Sequence, residues 1–245
     1  MGLPALPVTL PPATPYTGGL YEAATLLTDD TARHIGGVDV TDPNYGGHGT
    51  WLVPDPEDGN GQKAGARRER QLFPSVVAWA ADTAKAVGWA EDDALARAEH
   101  VLSLTEQPDV ERFTVQQLQA GDELDTSGRT SWADVVGALD AELAAHGHTG
   151  VLHASRAYLP HAEKAGVVKR QGGRLLTPGG SVWAFGAGYA MLGTTVVATG
   201  GVVVRRSTVT TGVTFNPDNN ERMAVAERVV TPYWGGPHLQ ATVAE

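Results

Sequence analysis

The sequence of 245 residues contains no cysteine, which excludes disulfides, thiolate metal sites and thiol nucleophiles. Charged residues are also scarce, at 19%, where a typical soluble domain has about 25%. The charge is unbalanced, because 28 acidic and 18 basic residues give a formal net charge of −10. General nucleic-acid binders present basic faces, so this charge argues against that class of protein.

Long apolar stretches are missing too. No apolar run reaches the roughly 18 residues that a membrane-spanning helix needs. The N-terminal segment has neither the basic region nor the apolar core of a signal peptide. With 42% hydrophobic residues, the sequence predicts a soluble globular protein, made inside the cell, with one large or two small domains.

Short motifs of catalysis are absent from the sequence. It contains no G-x-S-x-G, Walker A, H-E-x-x-H or calcium-loop pattern. Gly186, Gly188 and Gly193 do not have the G-x-G-x-x-G spacing, and they read as loop glycines between strands. We therefore predict that the protein is not an enzyme and binds no cofactor.

One group of histidines is the best candidate for a metal site: His146, His148, His153 and His161. A His-X-His pair on a strand can present both rings to one ion. Here the first two histidines straddle Gly147, a predicted helix cap, and no carboxylate stands at a ligand spacing beside them. The sequence predicts no metal, and a metal-dependent enzyme remains an alternative.

The N-terminal part reads as extended. Residues 1–16 hold five prolines, which favour an arm of polyproline character, and 21–34 predict a short helix or a continuation of the arm. Residues 36–70 alternate short β-like runs with turn signals, which predicts an extended hairpin projecting from the body. Trp51 lies in this projection, where either a neighbouring chain or a small local cluster must cover its indole. The projection ends in a basic cluster, which consists of Arg67, Arg68 and Arg70.

Helical periodicity follows the projection. The apolar residues between Phe73 and Ala84 recur at i, i+3, i+4 and i+7, which predicts a helix that stops at Gly88. A second helix is predicted over Asp92 to Leu104, with a short element after Pro108. Trp79 and Trp132 are predicted to fill the core of the protein.

The second half predicts an α+β unit that ends in strands. A helix begins at Ser131, a capping residue, and ends at Gly147. A buried strand, a helix of one to two turns and a hairpin around Gly172-Gly173 follow. Five further strand candidates come after the hairpin, and their sequences are SVWAFGAGY, GTTVVATG, GVVVRRSTV, MAVAERVVTPYW and HLQATVAE.

Two adjacent arginines, Arg205 and Arg206, interrupt one of these valine-rich strands. Successive side chains of a strand point to opposite faces, so one guanidinium leaves each face of the sheet. Either of two arrangements explains them: carboxylates of a neighbouring subunit, or intrachain salt bridges at the edge of a sheet.

This layout resembles tailed-bacteriophage major capsid proteins of the Johnson fold, the Hong Kong 97 type. Several phrases are similar to those of phages that infect actinobacteria, namely ALDAELAAHGHTGVLHAS, RQGGRLLTPGG, ATGGVVVRRSTV, AERVVTPYW, and LFPSVVAWAADTAKAVGW followed by VERFTV. The resemblance implies an α+β capsid subunit. Its parts would be an N-terminal arm (1–35), an extended β-hairpin loop (36–70), a peripheral domain with a spine helix (71–128), an axial domain (129–199) and strands returning to the peripheral domain (200–245).

The resemblance also implies a function and partners. The subunit would assemble with copies of itself, as hexamers and pentamers, into an icosahedral shell around double-stranded DNA in the virion, after synthesis in the host cytoplasm. Scaffolding, decoration and portal proteins would be separate chains, and no membrane would be involved. Candidate contacts between subunits are Trp51, Arg67, Arg68, Arg70, Arg205 and Arg206. Alternatives are an encapsulin-like bacterial compartment and a phage tail-tube or connector protein.

Overall fold

A computed structural model describes residues 10–244 apart from 32, 45, 51–63, 68, 87 and 89. The helices are α1 (Leu20–Ala23), α2 (Glu91–Leu118), α3 (Trp132–Ala145) and α4 (Leu159–Lys164). The strands are β1 (Thr25–Thr28), β2 (Val38–Val40), β3 (Gln71–Phe73), β4 (Val76–Lys85), β5 (Asp122–Glu123), β6 (Val151–Ser155), β7 (Lys169–Gln171), β8 (Arg174–Leu176), β9 (Val182–Gly186), β10 (Thr195–Thr199), β11 (Val202–Arg206), β12 (Thr210–Asn216), β13 (Glu221–Trp234) and β14 (His238–Thr242). Among these described residues, three short 3-10 helices lie at Arg33–Gly36, Arg156–Tyr158 and Ala187–Leu192.

A five-stranded sheet is built around β13, whose 14 residues make it the longest strand described. On one side β13 pairs antiparallel with β4, and on the other it pairs antiparallel with β12 and then β11. β1 adds to β11 in parallel. Helix α2 lies across one face, where Ala98 and Leu102 pack against Ala78, Ala80 and Ala226. The four alanines are small, which lets the helix approach the sheet closely.

A seven-stranded sheet has the order β5-β14-β10-β6-β9-β8-β7. Helix α3 covers it through an apolar stripe that includes Val135, Leu139 and Leu143. Every residue of β6 is buried, as the sequence predicted for this strand. The last strand of the range 200–245, β14, pairs with β10 in this sheet, whereas β11, β12 and β13 belong to the five-stranded sheet.

The helix predicted between Phe73 and Gly88 is wrong, because Val76–Lys85 forms β4. Burial alternates along this segment, with Ala78 and Ala80 buried and Trp79 61% exposed. A ten-residue antiparallel register with β13 supplies its backbone partners. Trp79 is therefore not a core residue, whereas Trp132 packs against the core beneath α3.

Helix α2 is one continuous helix of 28 residues, and the predicted end at Leu104 is wrong. Pro108 lies inside it, and an interior proline typically costs about 3 kcal/mol. Leu102 on one side of the proline and Val110 and Leu118 on the other are buried. Burial of such side chains contributes roughly 1.5–3 kcal/mol each, which outweighs the penalty.

Local signals in the second half are confirmed. Ser131 caps α3 by accepting a hydrogen bond from the Asp134 N–H at 3.2 Å. Gly147 ends that helix with φ of +76°, in the left-handed region that favours glycine. The predicted hairpin is β7–β8, and the five predicted strands are present. Strand β12 was not predicted.

The two ends of the segment 41–70 lie side by side, because β2 and β3 pair antiparallel from Val38↔Phe73 to Val40↔Gln71. Trp51 and Arg68 lie outside the described residues. In the part of the chain that the structure describes, no helix combines the length and apolar character needed to cross a membrane.

Candidate functional site

Residues 16–21 of the arm lie along α2, where two buried glutamates hold them. Glu106 and Glu111 are 5% and 0% exposed. Each carboxylate accepts hydrogen bonds or ion pairs from distant parts of the chain. These two clusters therefore join the arm and the long helix to the five-stranded sheet and to the 3-10 helix that follows β9.

Glu106 is shared by two arginines of the five-stranded sheet. Its Oε1 lies 3.3 Å from Nη1 of Arg206 and its Oε2 lies 3.4 Å from Nη1 of Arg228. The Tyr21 hydroxyl donates to Oε1 at 2.8 Å, and the Arg206 guanidinium stands 5.2 Å from the centre of the Tyr21 ring. Burial, and then the Glu106 charge, raise the pKa of Tyr21 well above its ordinary value, so the hydroxyl stays a donor.

Arg205 points to the opposite face of the same sheet. Its Nη1 lies 2.7 Å from Oδ2 of Asp29, the residue that follows β1. The Thr31 hydroxyl donates to Asp29 Oδ1 at 2.6 Å, and this bond, followed by Arg205, holds the pKa of Asp29 well below its usual range. Nearby, the buried His34 has Nε2 3.4 Å from the Val229 carbonyl oxygen. The strand thus sends one guanidinium to each face, and both have partners within the chain.

Glu111, on α2, binds the arm and the 3-10 helix at Ala187–Leu192 through hydrogen bonds. Its carboxylate accepts hydrogen bonds from the Tyr16 hydroxyl at 2.5 Å, the Leu20 N–H at 2.9 Å, the Gln107 amide at 3.1 Å and the Gly188 N–H at 2.9 Å. Burial, and then the Glu111 charge, raise the pKa of Tyr16 well above its ordinary value. A Cβ at Gly188 would lie 2.3 Å from the carbonyl oxygen of Pro108, so only glycine permits this approach to α2. Gly188 is therefore a packing position against α2, whereas the sequence pattern had indicated only a loop glycine between strands.

The four histidines proposed as metal candidates do not converge. His146 lies 3.6 Å from Glu142, four residues earlier on α3, so a carboxylate does stand beside it, contrary to the sequence prediction, while His161 packs against Tyr158. His153 is fully buried, with ring nitrogens 3.3 Å from the Tyr189 hydroxyl and 3.0 Å from the Thr199 hydroxyl. Among the residues that the structure describes, no three histidine or acidic side chains are grouped so as to hold a metal ion.

We expect His153 to make the protein less stable in acid. Burial, and then His238, lower its pKa from 6.5 to about 3. The unfolded chain therefore binds one more proton between these two values, so this stabilisation is complete above about pH 6.5 and falls as the pH drops toward 3. One proton corresponds to a slope of about 1.4 kcal/mol per pH unit.

This slope can be measured by urea unfolding at several pH values between about 7 and about 4. His153→Gln is the matched variant, since its amide can hydrogen-bond but does not titrate. Carboxylates contribute the same acid slope to both proteins, so the difference between them isolates the histidine. Equal slopes for the two proteins would contradict the assignment.

Two of the remaining sequence-predicted contacts, Arg67 and Arg70, lie at the surface. Arg67 and Arg70 are exposed, and Nη1 of Arg70 lies 3.1 Å from Oδ2 of Asp39 at the base of the 41–70 segment. Sequence reasoning missed Glu106, Glu111 and their tyrosine partners. The available signal was the pair of tyrosines in the arm, one directly after Pro15 and one six residues beyond it, in a segment without a core of its own.

Comparison with solved structures reveals the fold. Over 100% of this chain and 96% of the other, the protein superposes on a structure of Microbacterium phage Oxtober96 with a TM-score of 0.60 at 11% identity. It is similarly close to the capsid of a native GTA particle, with a TM-score of 0.60, 13% identity, and 99% and 95% coverage. The mature capsid of bacteriophage PhiM1 gives a TM-score of 0.52 at 10% identity, with 100% and 93% coverage.

The chain has the fold of phage capsid subunits. This α+β capsid fold spans its whole length. No protein-family model matches the chain, and no curated protein matches its sequence. Within the capsid fold, the Glu106 and Glu111 clusters lie where the arm meets the long helix.

Proposed function

We propose that this chain is the major capsid protein of a tailed bacteriophage and that copies of it assemble into the closed shell around the double-stranded DNA. The observation that carries the proposal is the superposition on phage capsid subunits along the full chain. The role is structural, and it needs no catalytic group or cofactor.

In this proposal, each region of the chain corresponds to one part of a Johnson-fold capsid subunit. Residues 1–35 are the arm, and 36–70 are the extended loop that starts from the β2–β3 pair. Helix α2 serves as the spine helix of the peripheral domain, together with the five-stranded sheet. The seven-stranded sheet and α3 form the axial domain.

Contacts between copies come from the projecting parts. Trp51 and Arg68, with the exposed Arg67 and Arg70, belong to the extended loop and reach a neighbouring subunit. Arg205 and Arg206 have intrachain partners. We therefore propose that they make each subunit rigid and affect contacts with neighbouring copies only indirectly.

Many weak, repeated contacts between subunits add up through multivalency, and closed symmetry ends the growth of the shell. The net charge of −10 keeps adhesion of the inner wall to DNA modest.

Electron microscopy tests this proposal directly. The purified protein, alone and co-expressed with the products of neighbouring genes, is expected to form closed shells or rings of five and six subunits. Long tubes would favour the tail-tube alternative, and shells filled with an enzyme instead of DNA would favour the encapsulin-like compartment. A monodisperse monomer under both conditions would refute capsid assembly.

A further inference from the structure

Strand β12 is a long sheet edge without protection. All seven of its residues are exposed, and within the described part of the chain its pairing partner is β13. The pairing runs residue by residue from Thr210↔Glu227 to Asn216↔Glu221, so no bulge bends the strand away. Towards the rest of the described chain, its outer edge therefore presents a row of unpaired backbone N–H and C=O groups.

The sequence of β12, TTGVTFN, holds none of the residues that usually protect an edge. It has no charge and no proline, and Val213 and Phe215 are 38% and 52% exposed. The ends of the seven-stranded sheet are different, because β5 has two residues, both acidic, and β7 has three, two of them basic. Strand β4 carries the ion-paired Asp82 and Lys85, and β1 has only four residues. Short, charged edges prevent strand addition, whereas β12 permits it.

We propose that β12 of one subunit pairs antiparallel with β12 of a second copy across a two-fold axis, which joins two five-stranded sheets. This inference rests on the proposed assembly of the chain with itself. An isologous contact requires a surface that is complementary to itself, and an uncharged strand places no like charges opposite each other.

The sequence favours one register for this pairing. When Val213 faces Val213 of the second copy, Thr211 faces Phe215 on both sides of the axis. These three positions share one face, because side chains alternate along a strand. The pairs are then β-branched with β-branched and β-branched with aromatic, which are the stabilising combinations across strands.

Disulfide trapping tests the register, because the chain has no native cysteine. Val213→Cys puts the two thiols opposite each other, at a separation that a disulfide can bridge. Thr210→Cys is the control within β12, since in this register its two copies lie about 20 Å apart. Thr83→Cys, an exposed position on β4, is the control for random collision. Under mild oxidation we expect covalent dimers of Val213→Cys only, and we expect Val213→Lys to weaken the association of copies.

The outcomes separate this inference from the proposed function. Shells that form while Val213→Cys stays monomeric on a denaturing gel would overturn the strand pairing and leave the capsid function intact. Equal crosslinking of all three cysteine variants would also overturn it. Discrete Val213→Cys dimers without shells would support the pairing and refute the capsid function. The absence of both dimers and shells would refute the two together.

Discussion

Replacing Glu111 by alanine is expected to lower the free energy of unfolding by about 3 to 5 kcal/mol. The Tyr16 hydroxyl and the N–H groups of Leu20 and Gly188 would lose their acceptor in a buried site. Each unsatisfied buried donor costs about 1–3 kcal/mol, and water that enters the vacated space recovers part of the loss. The arm would also lose its principal attachment to α2, so residues 10–19 should become more sensitive to protease.

Urea unfolding and limited proteolysis measure the two effects. Glu99→Ala is the matched control, since Glu99 lies on the same helix with an exposed side chain. We expect the control to change stability by less than about 0.5 kcal/mol. A Glu111→Ala protein with the stability and protease pattern of the control would show that the cluster does not hold the arm.

The part of the fold that could be predicted is the part that local signals determine. A capping serine at 131, a left-handed glycine at 147 and a two-glycine turn at 172 and 173 each act within a few residues, and the structure has all three. Strand β4 depends instead on β13, to which Val76 pairs through Val230. Its alanines fit the period of a helix as well as that of a strand, so only the distant partner decides between them.

The candidate site, too, could be predicted only where the signal is local. Two arginines within a valine-rich strand are visibly unusual, and their opposite directions follow from strand alternation. Their partners are Asp29 and Glu106, 176 and 100 residues away along the chain, so no local pattern identifies them. Glu111 lies beyond Pro108, where the predicted helix had already ended, and a buried face could not be inferred for it.

Replacing Glu106 by alanine is the second change with a large expected effect, about 3 to 5 kcal/mol of lost stability. Arg206 and Arg228 would face each other without their shared carboxylate, with side chains only 22% and 18% exposed. The Tyr21 hydroxyl would lose its acceptor as well. Most of this loss is the penalty of leaving buried charges unpaired, because the ion pairs themselves gain little over their desolvation.

That reasoning predicts a rescue. A triple variant, Glu106→Leu with Arg206→Met and Arg228→Met, removes all three charges together and should be clearly more stable than Glu106→Ala alone. Asp82→Ala is the control, since its pair with Arg97 also joins α2 to the sheet but is more exposed, and we expect it to cost less than about 1 kcal/mol. Urea unfolding of the four proteins gives the comparison. A triple variant that is less stable than Glu106→Ala would contradict this reasoning. The attraction between the charges would then itself stabilise the packing of α2 on the five-stranded sheet.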